Sequence, residues 1–187
     1  MVLYKNAFYG TTLYHGGSEG DGTVFKVTPS GKETVLHRFG GTPDGALAFP
    51  GLTVHGKMLY GTTELGGSKN LGTVFKMTAG GKLTVIHNFG ATKGDGVEPV
   101  AGLLDVNGTL YGTTLSDVTV GEGTVYSITP AGAESQIAVF CPTPTCAAGS
   151  PSTPEAGVID VNGMLYGTTL SQTGPYGGSG TVFAVPI

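Results

Sequence analysis

The sequence predicts an all-β fold built from four copies of one unit, and three observations in its 187 residues carry that prediction. The first is a phrase that returns four times: Phe8-Tyr9-Gly10-Thr11-Thr12, Leu59-Tyr60-Gly61-Thr62-Thr63, Leu110-Tyr111-Gly112-Thr113-Thr114 and Leu165-Tyr166-Gly167-Thr168-Thr169. Its tyrosines are spaced by 51, 51 and 55 residues, a period that marks a repeat architecture. The second is tandem identity, since 13 of 20 positions agree between residues 22–41 and 72–91. The third is composition. There are 34 glycines and 11 prolines among β-branched and aromatic runs, with no sustained helical period, so tight turns join short strands.

Each unit opens with a short apolar run: Val2-Leu3-Tyr4, then Leu52-Thr53-Val54, Leu103-Leu104-Asp105-Val106 and Val158-Ile159-Asp160-Val161. A tight turn is expected next, at Asn6-Ala7, His55-Gly56, Asn107-Gly108 and Asn162-Gly163. Asn-Gly between apolar runs is a strong hairpin signal, because both central residues of a type I′ turn need positive φ. The Tyr-Gly-Thr-Thr phrase then forms the second strand. A glycine-rich loop leads to a third strand that begins Gly-Thr-Val at residues 22, 72, 123 and 180. A further turn leads to a fourth strand over 34–39, 84–89 and 136–140, and the last unit stops short of it.

Strands that are apolar on both faces need a layer on each side. Four antiparallel meanders packed face to face and arranged radially make a β-propeller, with repeats at about 1–50, 51–101, 102–156 and 157–187 of one domain. A solenoid fits less well, since a period near 51 is long for one β-helix coil. Four copies of strands one to three but three of strand four leave two arrangements open. One is a four-blade ring with one short blade; the other is a homodimer completing a larger ring.

The order G-TVFK, G-K turn, T-V-L-H-x-F-G and LYGTT is similar to the bacterial tandem repeat called GloVer. The blade pattern also resembles propellers of the NHL and gluconolactonase type. The first resemblance implies an exported, repetitive surface module, and with it an extracellular or cell-surface location. Unit three departs from the pattern at Ala138 and Cys141, where its siblings carry His37 and His87, then Gly40 and Gly90.

Charge and segment lengths narrow the partners. A formal net charge of −4 disfavours nucleic acid and anionic membrane, and no apolar run approaches the roughly 18 residues that span a bilayer. Met1 to Lys5 is not followed by the apolar stretch of a signal peptide. Cys141 and Cys146, in a loop rich in proline and small residues, are expected to pair in an oxidising compartment, with two free thiols as the alternative.

Chemistry is expected on the long loops that follow strands two and four, which hold nine of the thirteen acids but two of the nine bases. The favoured function is a module that binds a glycan or a protein there, with Tyr14, His15, Asp21, Asp44, Asp95, Glu98 and Tyr176 as candidate contacts. Solubilising charge alone is the plainer account. Carboxylates beside glycine, as at Asp21, Asp44 and Asp95, suit hard cations such as Ca²⁺, although Asp-Gly is also a common bare turn. The alternative function is a metal-dependent hydrolase or lactonase, with Asp21, Asp95, Asp105 and Asp160 holding a metal near the ring axis. No G-x-S-x-G nucleophile motif is present.

Overall fold

The computed structural model describes residues 1–16, 20–92, 94–118, 122–141, 151–172 and 180–187. Among the described residues its regular structure is antiparallel β, in four successive blade sheets and two short two-stranded ones. The first unit comprises Val2–Tyr4, Ala7–Thr12, Thr23–Val27 and Glu33–Arg38. The second comprises Thr53–His55, Met58–Leu65, Thr73–Thr78 and Leu83–Asn88. The third comprises Leu104–Val106, Thr109–Thr114, Thr124–Ile128 and Glu134–Val139. The fourth has three strands, Ile159–Val161, Met164–Thr168 and Val182–Pro186. The units are blades of a β-propeller-type fold, as the repeat predicts. Among the described residues no helix is long and apolar enough to cross a membrane.

The first hairpins differ from the expected register by one residue in units one and two. Tyr4 pairs with Ala7 and His55 with Met58, so the turns are Lys5-Asn6 and Gly56-Lys57. Lys5 and Asn6 both take positive φ, at 48° and 57°, as a type I′ turn demands even without glycine. Asn107-Gly108 and Asn162-Gly163 are the turns that were expected.

The repeated phrase is a set of locks. Its tyrosine in units one to three is buried against the next blade. Its glycine lies under the aromatic ring of the third strand, paired as Gly10 with Phe25, Gly61 with Phe75, Gly112 with Tyr126 and Gly167 with Phe183. A Cβ on Gly61 would come within 2.6 Å of the Phe75 ring, so only glycine fits. The first threonine reaches the lead-in to the next unit: the Thr11, Thr62 and Thr113 hydroxyls donate to the carbonyls of Phe49, Ala101 and Ala156 at 3.0, 2.9 and 3.0 Å. The second threonine ties strand two to strand three, with hydroxyls 2.7–3.0 Å apart in Thr12–Thr23, Thr63–Thr73, Thr114–Thr124 and Thr169–Thr181. Buried hydroxyls are thereby paired with each other or with backbone, as burial requires.

Three apolar clusters fill the three spaces between consecutive blades. Tyr9, Val24 and Phe39 meet Leu59, Phe75 and Met77. Tyr60, Val74 and Phe89 meet Leu110, Tyr126 and Ile128. Tyr111, Val125 and Phe140 meet Leu165 and Phe183. The first strands line the inner edge, where a Cβ on Gly51 would fall 2.8 Å from the Cα of Gly102.

The lead-in to each inner strand carries structure that the sequence did not announce. Ala46–Ala48 pairs with the far end of Met58–Leu65, Gly96–Val97 with Ser116–Asp117, and Pro151–Ser152 with Ser171–Gln172. Runs of two or three residues show no alternation to read. In these lead-ins, Leu47, Glu98 and Thr153 hold left-handed φ near 57°, 59° and 56° at one equivalent position, uncommon for residues other than glycine.

Candidate functional site

Asp21, Asp44, Asp95 and Glu98 lie on the long-loop segments, and Asp44 and Asp95 hold the scaffold. His37 Nε2 is 2.7 Å from Asp44 Oδ2, and His87 Nε2 is 3.1 Å from Asp95 Oδ1. The second carboxylate oxygen accepts a backbone N–H, from Gly40 to Asp44 and from Ala91 to Asp95. Each histidine also stands edge-on to the phenylalanine two residues on, at 4.9 and 4.8 Å between ring centroids. These pairs pin the crossover between blades onto strand four. The histidines therefore act at the long-loop end, although the sequence placed only His15 there.

Asp105 and Asp160 each accept the N–H of the glycine three residues later, at 2.9 and 3.0 Å, which closes their hairpin turns. Asp105 also pairs with His55 Nδ1 of the preceding unit at 2.8 Å. Asp21 contributes its backbone carbonyl to the Leu47 N–H. The four acids expected to share a metal near the axis are thus set at different places, two of them in the inner turns. Among the described residues no group of three or more His, Cys, Asp or Glu side chains is placed to hold an ion. Tyr14 and His15 are exposed on the loop after strand two of the first unit. Tyr176 lies outside the described residues. Cys141 is disulfide-bonded, and its expected partner Cys146 also lies outside the described residues.

One concavity gathers residues from successive units at this end. It encloses about 250 Å³ between Phe49, Glu64, Val100, Leu115 and Glu155. Glu64 and Leu115 follow the Thr-Thr pairs of units two and three. Phe49, Val100 and Glu155 stand in the three lead-ins, just ahead of the inner strands. Burial, and next the neighbouring Glu98, push the Glu64 carboxyl above its usual range. Glu98 is therefore beside this mouth, on the strained lead-in whose N–H bonds Leu71 and whose carbonyl accepts from Leu115. Of the acids named from sequence as ligand contacts, Glu98 is the one drawn to the cavity. Phe49, Glu64 and Glu155 stood out as aromatic or acidic residues of the long loops, whereas Val100 and Leu115, in the same loops, were not singled out as contacts. The available signal was positional, because the lead-in position of Phe49, Val100 and Glu155 changes from unit to unit, and Glu64 stands where the other units have Leu13, Leu115 and Leu170.

An apolar wall of Phe49, Val100 and Leu115 with carboxylates at its edge can take an uncharged, hydroxylated ring. Carbon–hydrogen faces would lie on the wall, and hydroxyls would donate to the acids.

Comparison with known proteins agrees with the fold. A solved structure described as that of a candidate gluconolactonase superposes with a TM-score of 0.51 at 17% identity, covering 94% of this chain and 47% of that one. The chain spans about half the length of that structure. The Bacteroides ovatus protein described as xyloglucan PUL GH43B gives a TM-score of 0.49 at 18% identity, over 97% of this chain and 37% of that one. No curated protein matches. The family model described as the Gloeobacter/Verrucomicrobia repeat matches residues 1–183, nearly the whole of the four-unit array. The chain belongs to the Gloeobacter/Verrucomicrobia repeat family.

Proposed function

We propose that this chain is an exported binding module that takes a neutral glycan at the mouth formed by Phe49, Glu64, Val100, Leu115 and Glu155. The observation that carries the reading is this cavity of about 250 Å³, whose lead-in residues Phe49, Val100 and Glu155 differ between units whose framework repeats. The conserved-in-repeat polar groups already have partners within the scaffold, which leaves the variable positions for recognition. Its volume suits one sugar ring, with the rest of a chain lying across the acidic loops. The disulfide at Cys141 supports an oxidising, extracellular setting. The hydrolase alternative has less support, since Asp21, Asp95, Asp105 and Asp160 serve separate turns and crossovers.

Titration calorimetry with neutral hexose di- and trisaccharides tests the proposal. Binding is expected, weakened about tenfold or more by Phe49→Ala and several-fold by Glu155→Gln, consistent with loss of a stacking face and a charged acceptor. Absence of heat up to about 10 mM sugar, or a Phe49→Ala protein that binds as well as the parent, overturns it. Affinity that appears only with added Ca²⁺ would move the assignment to a cation held by the acids.

A further inference from the structure

The outward face of the fourth blade carries the third-strand valine and second-strand tyrosine that are buried three times elsewhere. Val24, Val74 and Val125 occupy one repeat position in strand three and are 0% exposed, whereas their equivalent Val182 is 75% exposed. Tyr9, Tyr60 and Tyr111 are buried, and the equivalent Tyr166 is exposed together with Ile159 and Val161. Ile159, Tyr166 and Val182 line a concavity of about 290 Å³ with Gly157, Gly167 and Thr168.

The complementary surface is at the other end of the molecule. Leu59, Leu110 and Leu165 each insert against the preceding blade and are 0% exposed, whereas Phe8 at the same position is 43% exposed. Met1 and Leu3 flank it, both exposed, at the positions of the buried or half-buried Leu52 and Val54. In each internal interface the valine of one blade and the leucine of the next belong to one cluster: Val24 with Leu59, Val74 with Leu110, Val125 with Leu165.

We infer that the outward face of blade four receives the leading face of blade one from a second copy of this chain, with Val182 meeting Phe8. The occupant follows from continuity: the contact is the fourth instance of an interface the chain builds three times. It is heterologous, so two copies close a ring when the rotation permits and longer arrays form when it does not. This inference rests on the fold and is independent of the glycan site.

Native mass spectrometry and sedimentation velocity between about 1 and 200 µM test it. Self-association is expected, and a monomer across the whole range overturns the inference. Val182→Asp and Phe8→Asp should each weaken association by about a hundredfold or more, since each would bury an unpaired carboxylate. Both sites are exposed in the single chain, so unchanged far-UV circular dichroism is expected of each variant. Tyr166→Lys and Leu3→Lys serve as a second pair. An equimolar mixture of Val182→Asp and Phe8→Asp should recover a dimer, because one native contact can still form between them. Association that survives either variant, or a mixture that stays monomeric, overturns the head-to-tail contact.

Discussion

Blades two and four carry nearly the same strands and have different fates. Val74 and Val182 both follow Gly-Thr, and both point away from the preceding unit. One is sealed between blades and the other faces solvent. A residue's contribution here depends on whether another blade lies beyond it, and the repeated motif specifies only the shape of the face. Hydrophobic patterning thus defines how blades stack and leaves open how many do.

Stability measurements can break this comparison. Val74→Ala should cost about 2 kcal/mol, from lost burial and an unfilled cavity, while Val182→Ala in the single chain should change stability by less than about 0.5 kcal/mol. Urea unfolding of both variants under conditions where the protein is monomeric checks it. Equal losses would show that blade four is covered. Thr62→Val removes a buried 2.9 Å bond to the Ala101 carbonyl and should cost about 1–2 kcal/mol, whereas Thr168→Val, on the open face, should be close to neutral.

Tyr126 sharpens the contrast from the opposite direction. Units one, two and four place phenylalanine at this position. The Tyr126 hydroxyl is buried without a hydrogen-bond partner among the described residues, and burial, with Glu134 and Asp95 nearby, raises its pKa. Tyr126→Phe should therefore stabilise the protein by about 1 kcal/mol, read as a higher midpoint in the same unfolding assay.

The smallest effect concerns the cavity. The Glu64 carboxyl is raised by burial and by Glu98, so the folded state holds its proton more tightly than the unfolded chain does. That contribution is fully present below the ordinary carboxylate range and is lost as pH rises through the folded value. Glu64→Gln should raise the melting temperature slightly at pH 7 and leave it unchanged near pH 3. Parallel melts at the two values decide it.

Much of this architecture was legible in the sequence because it is repeated. Tyr-Gly-Thr-Thr at a period of 51 residues gave the blades, and the Asn-Gly turns gave two of the four hairpin registers. The threonines were readable as a lead to the loops but not as donors to the next unit, since their acceptors are main-chain carbonyls about 40 residues away. The His37–Asp44 and His87–Asp95 pins left a trace that could have been followed. Both members recur in units one and two, at spacings of seven and eight residues, and unit three has Ala138 in place of the histidine. Val100 and Leu115 looked like ordinary apolar residues. Only the curvature that brings successive lead-ins together makes them a wall.

The bond from the first threonine of each phrase to the following unit has an evolutionary reading. Its acceptor is a peptide carbonyl, which every amino acid supplies, so the donor places no demand on the side chain that comes next. A gene segment encoding one unit and its lead-out could be copied and inserted beside any other, and the copy would bring this bond with it. Loop residues could then diverge without breaking it. That freedom accounts for a chain in which Thr11, Thr62 and Thr113 are invariant among the units they join, while Phe49, Val100 and Glu155, one in each following lead-in, have little in common.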